Sequence, residues 1–230
     1  MTGAVLFDLG GTLVHYFERA EFPGILEQAI AEVSGYLQGQ GLLRAPPEAV
    51  WQRVQEEDHE AADHRVRPLE GRLVRIYQLD AVESSGLVLA MCRRFLRPIL
   101  ARGRRYEDAV AVLQELRRRG LQTAIVSNTT WGSPAQPWRE EIERQGLAGL
   151  VDVTVFCRDV GWRKPARQIF EFAVRKLGLH PQDCLFVGDD PRWDVEGPRA
   201  VGMEAVQIDR SGVAAGGIPS LGALRDRLQP

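Results

Sequence analysis

The order of apolar and polar residues divides the chain into two unlike parts. Residues 3–9 (GAVLFDL) form a short apolar run that carries Asp8 near its end and is halted by Gly10-Gly11-Thr12. A continuous apolar run stopped by glycines predicts a buried strand feeding a tight turn. From about residue 20 to 102 the periodicity is helical and no strand is expected. The predicted helices cover residues 22–40, 47–65, 69–79 and 83–100, with breaks at Gly39 and Gly41, Pro46-Pro47, Pro68 and Ser84-Ser85-Gly86. Beyond residue 106 helices and strands alternate. Helices are expected over 106–119, 138–145, 166–177 and 194–201, each stopped by a glycine. Between them lie strands 122–126, 151–156, 184–188 and 204–208. Residues 220–228 read as a closing helix.

Such alternation builds a parallel sheet with helices on both faces. The economical arrangement is an α/β core of residues 1–14 and 103–230, with residues 15–102 inserted as a helical unit after the first strand.

Composition narrows the function classes. The 230 residues are 44% hydrophobic and 26% charged, which is globular rather than disordered. The net charge of −2 leaves no electrostatic footprint for nucleic acid or an anionic membrane. No apolar run approaches the roughly 18 residues of a spanning helix. The N-terminal run has no basic lead-in and meets Asp8, so no signal peptide is expected. Cys92, Cys157 and Cys184 lack the spacing of a disulfide framework or a thiolate zinc site and read as small buried hydrophobes. Lys164 and Lys176 are the only lysines.

Parallel α/β sheets carry functional groups at the carboxyl ends of their strands. Those positions hold Asp8 to Thr12, Ser127 to Thr130, Arg163-Lys164-Pro165, and Gly188-Asp189-Asp190 followed by Asp194. Each group alone has an ordinary explanation: an Asx-turn, a strand exit, a loop lysine, a turn and helix cap. Together they describe one cleft. Several carboxylates in one cleft repel each other unless a cation intervenes, and a hard ion held by carboxylates, water and phosphate oxygens is the Mg²⁺ pattern. Lys164 adds a point charge suited to a phosphate or to orienting a carboxylate, and Ser127 adds a hydroxyl donor. A carboxylate nucleophile, a metal, a hydroxyl and an ammonium describe phosphoryl-group chemistry.

These motifs resemble the haloacid dehalogenase (HAD) superfamily, a group dominated by Mg²⁺-dependent phosphohydrolases. Its first motif, a strand followed by Asp-x-Asp-Gly-Thr, is matched by FDLGGTL at 7–13. Its second, an apolar strand ending in Ser or Thr, is matched by AIVSN at 124–128, and its lysine, often before proline, by Lys164-Pro165. Its fourth, Gly-Asp with a further Asp, is matched within FVGDDPRWD at 186–194. The resemblance implies a Rossmann-like HAD core with an inserted α-helical cap. It makes Asp8 the nucleophile that forms an aspartyl-phosphate, with Ser127, Asn128 and Lys164 binding the phosphoryl group. It makes Asp8, the main-chain carbonyl of Gly10 and Asp189 ligands of Mg²⁺. Of the two spare acids, Asp194 is by spacing the better further ligand, and Asp190 is a candidate contact of metal-bound water.

The chain departs from the family at Gly10, where the phosphatases carry a second Asp that protonates the leaving group and then activates water. Three consequences stand open: a substitute donor (His15, Glu18, His59 or His64), a substrate with a good leaving group such as an acyl phosphate, or slow turnover in a protein that mainly holds a phosphoryl group. Family members that cleave phosphonates use a cap lysine, and no lysine precedes Lys164. Dehalogenating members dispense with the metal and the Gly-Asp motif, which this chain retains. Substrate choice is expected to lie in the cap, with Arg65, Arg67, Arg72 and Arg75, and in the loop carrying Trp131 and Trp138. The resemblance implies a cytoplasmic, Mg²⁺-dependent hydrolase of a small phosphorylated molecule, monomeric or homodimeric, with a catalytically weak binding protein as the alternative and a dehalogenase as the lesser one.

Overall fold

The computed structural model describes residues 2–57, 61–79, 85–212 and 216–227. Strand β1 (Ala4–Phe7) is buried along its whole length, as its unbroken apolar run requires. A two-residue strand, β2 (Val14–His15), leads into four helices, α1 (Phe22–Gly39), α2 (Pro47–Glu56), α3 (Leu69–Tyr77) and α4 (Ser85–Leu100). Strand β3 (Arg104–Arg105) returns antiparallel to β2. Next come α5 (Glu107–Arg118), β4 (Gln122–Ser127), α6 (Ala135–Arg144), β5 (Val153–Phe156), α7 (Cys157–Val160) and α8 (Arg167–Leu177). The chain ends with β6 (Cys184–Gly188), α9 (Gly197–Arg199), β7 (Glu204–Gln207) and α10 (Leu224–Arg227). Among the described residues no helix is long and apolar enough to cross a membrane.

The five longer strands form one parallel sheet in the order β5-β4-β1-β6-β7. The chain grows outward from β1 on one side, then crosses back to grow on the other. Such a reversal leaves a crevice at the carboxyl ends beside the first strand. Side chains of β1 alternate between faces. Val5 and Phe7 join an apolar cluster that continues into α5 and the helical unit. Ala4 and Leu6 join one built with Ile169, Phe170 and Ala173 of α8. Within the helical unit α1 buries Ile25, Ala29, Val33 and Leu37 at helical spacing, and packs on α4, whose Met91, Phe95 and Ile99 are buried. All three cysteines are free and buried.

Three readings of the sequence need correction. The helix expected over 47–65 ends at Glu56. It runs into Glu56 and Glu57, whose charges oppose the negative end of the helix dipole and supply no apolar face. The segment after it pairs with the core instead: Val66 N–H donates to Gly161 O at 3.0 Å, and Arg163 N–H to His64 O at 2.9 Å. The helix expected from Asp194 begins earlier, as a π-helical turn over Pro191–Glu196. It is capped by Asp190, whose Oδ1 accepts from the N–H groups of Arg192 and Trp193 at 2.9 Å each. π-turns recur at functional sites, and this one turns Asp194 inward. Strands β2 and β3 were not expected, because two residues are too few to show an alternation.

Two bidentate ion pairs join the helical unit to the core. Glu70 of α3 meets Arg158 of α7 at 2.7 and 2.8 Å, and Arg93 of α4 meets Glu140 of α6 at 2.7 and 2.8 Å.

Candidate active site

The sheet register assembles the site. Phe7 pairs with Ile125 on one side and Val187 on the other, and Asp8 N–H extends the ladder to Val187 O at 2.9 Å. Asp8 therefore emerges between Ser127, at the end of β4, and Asp189, just past β6. All three line a cleft of about 530 Å³ between the sheet ends and the helical unit.

Lys164 lies under Asp8. Its Nζ donates to Asp8 Oδ1 and Asp194 Oδ1, both at 2.6 Å, and the side chain is almost wholly buried. Burial alone would lower its pKa; the Asp194 and Asp8 carboxylates outweigh that and hold the ammonium above the usual lysine range. Asn128 fixes the lysine's backbone. Its Oδ1 accepts from Lys164 N–H at 2.8 Å, and its Nδ2 donates to Lys164 O at 3.3 Å. The peptide bond from Lys164 to Pro165 is cis.

Asp194 is buried with both oxygens engaged: Oδ1 by Lys164 and Oδ2 by the Asp190 N–H at 3.1 Å. A Cβ at Gly188 would lie 2.4 Å from its carboxyl group, so the strand's last residue must be glycine for Asp194 to turn in. Asp189 sits against Gly11, whose φ is +76° and whose added Cβ would lie 2.3 Å from Asp189 Oδ2. Left-handed backbone and close approach thus both call for glycine there. Asp8, Asp189 and Asp194 bring ligand atoms within 4.8 Å of one another. Burial first, then the Asp8 carboxylate, raise the carboxyl pKa of Asp194 above the ordinary value; Asp189 is a solvent-exposed residue, and local desolvation of its carboxyl group, then the Asp8 and Asp194 carboxylates, shift it the same way.

Three carboxylates face one ammonium, an excess of negative charge that suits a divalent cation. The oxygen-only donor set fits Mg²⁺.

Gly10 differs from Gly11. Its φ is not left-handed, and an added Cβ would meet only the Tyr16 ring, at 3.6 and 3.9 Å. The backbone does not demand glycine, and a side chain fits. The substitute donors do not gather here. His15 lies beside Tyr106 and Glu18, at 3.4 and 3.8 Å, and among the described lining residues neither it, Glu18 nor His64 appears. His59 falls outside the described residues. Tyr16 does line the cleft, but burial, then the Glu141 carboxylate, push its hydroxyl above the usual phenol range, which makes it a poor acid.

Of the four cap arginines singled out, Arg65, Arg67 and Arg72 line the cleft. Arg75 instead pairs with Glu57 at 2.8 Å. Trp131 and Trp138 also line the cleft and are buried. The sequence reading treated the four arginines alike, although Arg72 shares the helical stripe of Leu69, Leu73 and Ile76 and so was marked to point inward. Asn128, which the sequence assigns to substrate, lines the cleft while its side-chain amide also holds the Lys164 backbone.

Comparison with known proteins points the same way. A family profile described as haloacid dehalogenase-like hydrolase matches residues 2–202. The chain is 31% identical over 212 residues to a phosphoserine phosphatase of Thermus thermophilus, covering 90% of this chain and 81% of that protein. It is 27% identical over 210 residues to a glyceraldehyde 3-phosphate phosphatase of Methanopyrus kandleri, covering 91% and 85%. The crystal structure of a HAD phosphatase from Thermococcus onnurineus superposes with a TM-score of 0.67 at 25% identity, over 99% of this chain and 98% of that one. With the strand order, the carboxylate cluster and the buried lysine in place, the chain belongs to the haloacid dehalogenase-like hydrolases, on the phosphatase side of that family.

Proposed function

We propose that this protein is a cytoplasmic Mg²⁺-dependent hydrolase of small phosphorylated molecules that works through Asp8. The observation that carries the reading is the buried Asp8–Lys164–Asp194 chain, with Asp189 and Ser127 at its open side. Lys164 holds Asp8 Oδ1, which leaves the other oxygen to attack phosphorus. As the new O–P bond forms, the bond to the leaving oxygen breaks and that oxygen takes up a proton. Water then attacks the aspartyl-phosphate, releasing inorganic phosphate and restoring the carboxylate. Ser127 Oγ, which donates to Asn128 O at 3.2 Å, is free to turn toward a phosphoryl oxygen. Asp8, the Gly10 carbonyl and Asp189 would hold the cation, with Asp194 behind them steadying Lys164. When bound, Mg²⁺ supplies positive charge to the phosphoryl oxygens.

The weak step is proton transfer. The carboxylates among the described lining residues are Asp8, Asp189 and Asp190, and Asp190 is occupied as a helix cap. Substrates whose leaving group departs without a proton, such as acyl phosphates, are therefore favoured over alkyl esters. The vacancy at Gly10 also supports a second reading, a protein that holds a phosphoryl group and turns over slowly. The acid cluster argues against dehalogenation, because displacing halide with a carboxylate needs no cation.

The test is phosphate release from alkyl and acyl phosphates, with and without Mg²⁺, in the wild type and Asp8→Asn. Release that requires both Mg²⁺ and Asp8 is expected. Equal release by Asp8→Asn overturns the reading.

A further inference from the structure

We propose that Arg210, beyond the last strand of the sheet, is a positioning residue for the metal site, and that with Gln207 it braces the two loops that carry the Mg²⁺ ligands. The inference rests on the Mg²⁺ reading above and adds residues outside the cleft.

Asp8 extends a sheet ladder, but the Gly10 carbonyl and Asp189 lie on the loops after β1 and β6. The first loop is a tight turn. Leu13 N–H and Val14 N–H both donate to Leu9 O, at 3.0 and 2.9 Å, and Gly11 N–H donates to Val14 O at 2.9 Å. These bonds fix the shape of the turn and leave its place relative to Asp189 to other contacts. The two loops meet at Gly11, where an added Cβ would strike the Asp189 carboxyl. Mg²⁺ demands near-octahedral geometry with oxygens at about 2.0–2.1 Å, so the spacing of the loops decides how well it is held.

One segment, the exit from β7, holds both loops from behind. Gln207 ends β7, and its Nε2 donates to Asp189 O at 3.0 Å. Ile208 N–H donates to Gly188 O at 2.8 Å. Arg210 reaches the other loop, with Nη2 donating to Thr12 O at 3.2 Å. The same nitrogen lies 3.4 Å from Asp108 Oδ1 on α5. The guanidinium is stacked on Tyr106, its carbon 3.5 Å from the ring centre. Tyr106 N–H in turn donates to Leu13 O at 3.1 Å. Two consecutive carbonyls at the back of the turn, Thr12 and Leu13, are thus taken by Arg210 and by the residue it stacks on.

The segment of Arg210 is ordered by other bonds. Asp209 N–H donates to Ile218 O at 2.9 Å, Ile218 N–H to Gln207 O at 2.8 Å, and Ser211 N–H to Asp209 Oδ1 at 2.9 Å. The arginine's contacts all go outward, to the nucleophile loop, Tyr106 and α5. A planar fork can stack and donate at once, which a lysine cannot. Neither Arg210 nor Gln207 is among the described residues lining the cleft, so their effect on the site runs through the loops they hold.

The experiment measures Mg²⁺ binding to the substrate-free protein by calorimetry in the wild type, Arg210→Met, Arg210→Lys and Gln207→Leu. Arg210→Met keeps an unbranched chain over Tyr106 and removes the donors and the charge. Removing a positive charge near a cation site would by itself strengthen binding, so a weaker site has lost geometry as its cause. Arg210→Met should weaken Mg²⁺ binding about ten- to a hundredfold, the scale on which groups that orient metal ligands act, with Arg210→Lys in between and Gln207→Leu shifted the same way. Val33→Ala, a buried truncation in α1 away from the cleft lining, loosens the fold elsewhere and should bind as the wild type does. Binding by Arg210→Met and Gln207→Leu within about twofold of the wild type overturns the inference, and so does a loss in Val33→Ala as large as in Arg210→Met. Should Arg210→Met fail to fold, Arg210→Lys and Gln207→Leu decide by the same criterion. A wild type that binds no Mg²⁺ overturns the metal reading and the brace together, whereas equal binding by all variants overturns the brace alone.

Discussion

Placing aspartate at position 10 should raise turnover. The backbone accepts the change: φ is not left-handed, and the new Cβ meets the Tyr16 ring at ordinary contact distance, 3.6 Å. Replacing glycine also narrows the unfolded ensemble, which favours folding by about 0.4–1 kcal/mol. Against this stands repulsion from the Asp8 and Asp189 carboxylates, about 1 kcal/mol per pair at 4 Å in water and more in a drier cleft. That repulsion raises the new carboxyl's pKa, which is what a general acid at neutral pH requires. Acid–base assistance is worth about 10²–10⁴ in rate, or roughly 2.7–5.4 kcal/mol of barrier. The assay is kcat for an alkyl phosphomonoester and for an acyl phosphate in saturating Mg²⁺. Gly10→Asp should raise kcat by about 10²-fold or more on the alkyl ester and by less on the acyl phosphate, whose leaving group needs no proton. A folded, Mg²⁺-binding variant with no gain on the alkyl ester would refute the claim that the site lacks only its proton shuttle.

Three further outcomes follow from the same geometry. Lys164→Met leaves Asp8 and Asp194 buried without their shared ammonium; denaturant unfolding without Mg²⁺ should show a loss of about 3–5 kcal/mol, and a loss below about 1 contradicts the pairing. Gly11→Ala forces a Cβ into left-handed backbone against Asp189, so it should cost about 1–2 kcal/mol and weaken Mg²⁺ binding by calorimetry, while Gly10→Ala should do neither. Asp189 and Asp194 titrate above the ordinary aspartate value, so in the metal-free protein their contribution is greatest at acid pH and is lost as pH climbs through their folded values. Mg²⁺ displaces those protons and should raise Tm more at about pH 8 than at about pH 5; an equal rise at both contradicts the cluster as the metal site.

The parts of this molecule that sequence makes legible are those whose local pattern and tertiary role agree. Strand β6 occupies the residues its apolar run predicts, and β1, β4 and β6 deliver Asp8, Ser127 and Asp189 to one edge because each run ends where its polar residue begins. Legibility fails where distant partners decide. Residues 64 and 65 read as the end of a helix, but Gly161 and Arg163 pair with the backbone of His64 and Val66 on either side of Arg65. Asp194 reads as a helix start, but Lys164 and the Asp190 N–H draw it inward and the chain takes a π-turn. Nothing local reveals that the Asn128 amide also holds the Lys164 backbone, 36 residues on. Trp131 is the extreme case, since its left-handed backbone, φ +55°, is not announced by its own residue type.

The most direct test of the central claim is to look for the covalent intermediate. Protein mixed with an acyl phosphate in Mg²⁺ is quenched in acid within one turnover, digested and analysed by mass spectrometry. With glycine at position 10 nothing helps water cleave the intermediate, so a phosphoryl adduct should accumulate on the peptide carrying Asp8, and should fall in Gly10→Asp. Phosphate release with no adduct on Asp8, or with the adduct on another residue, would contradict the account.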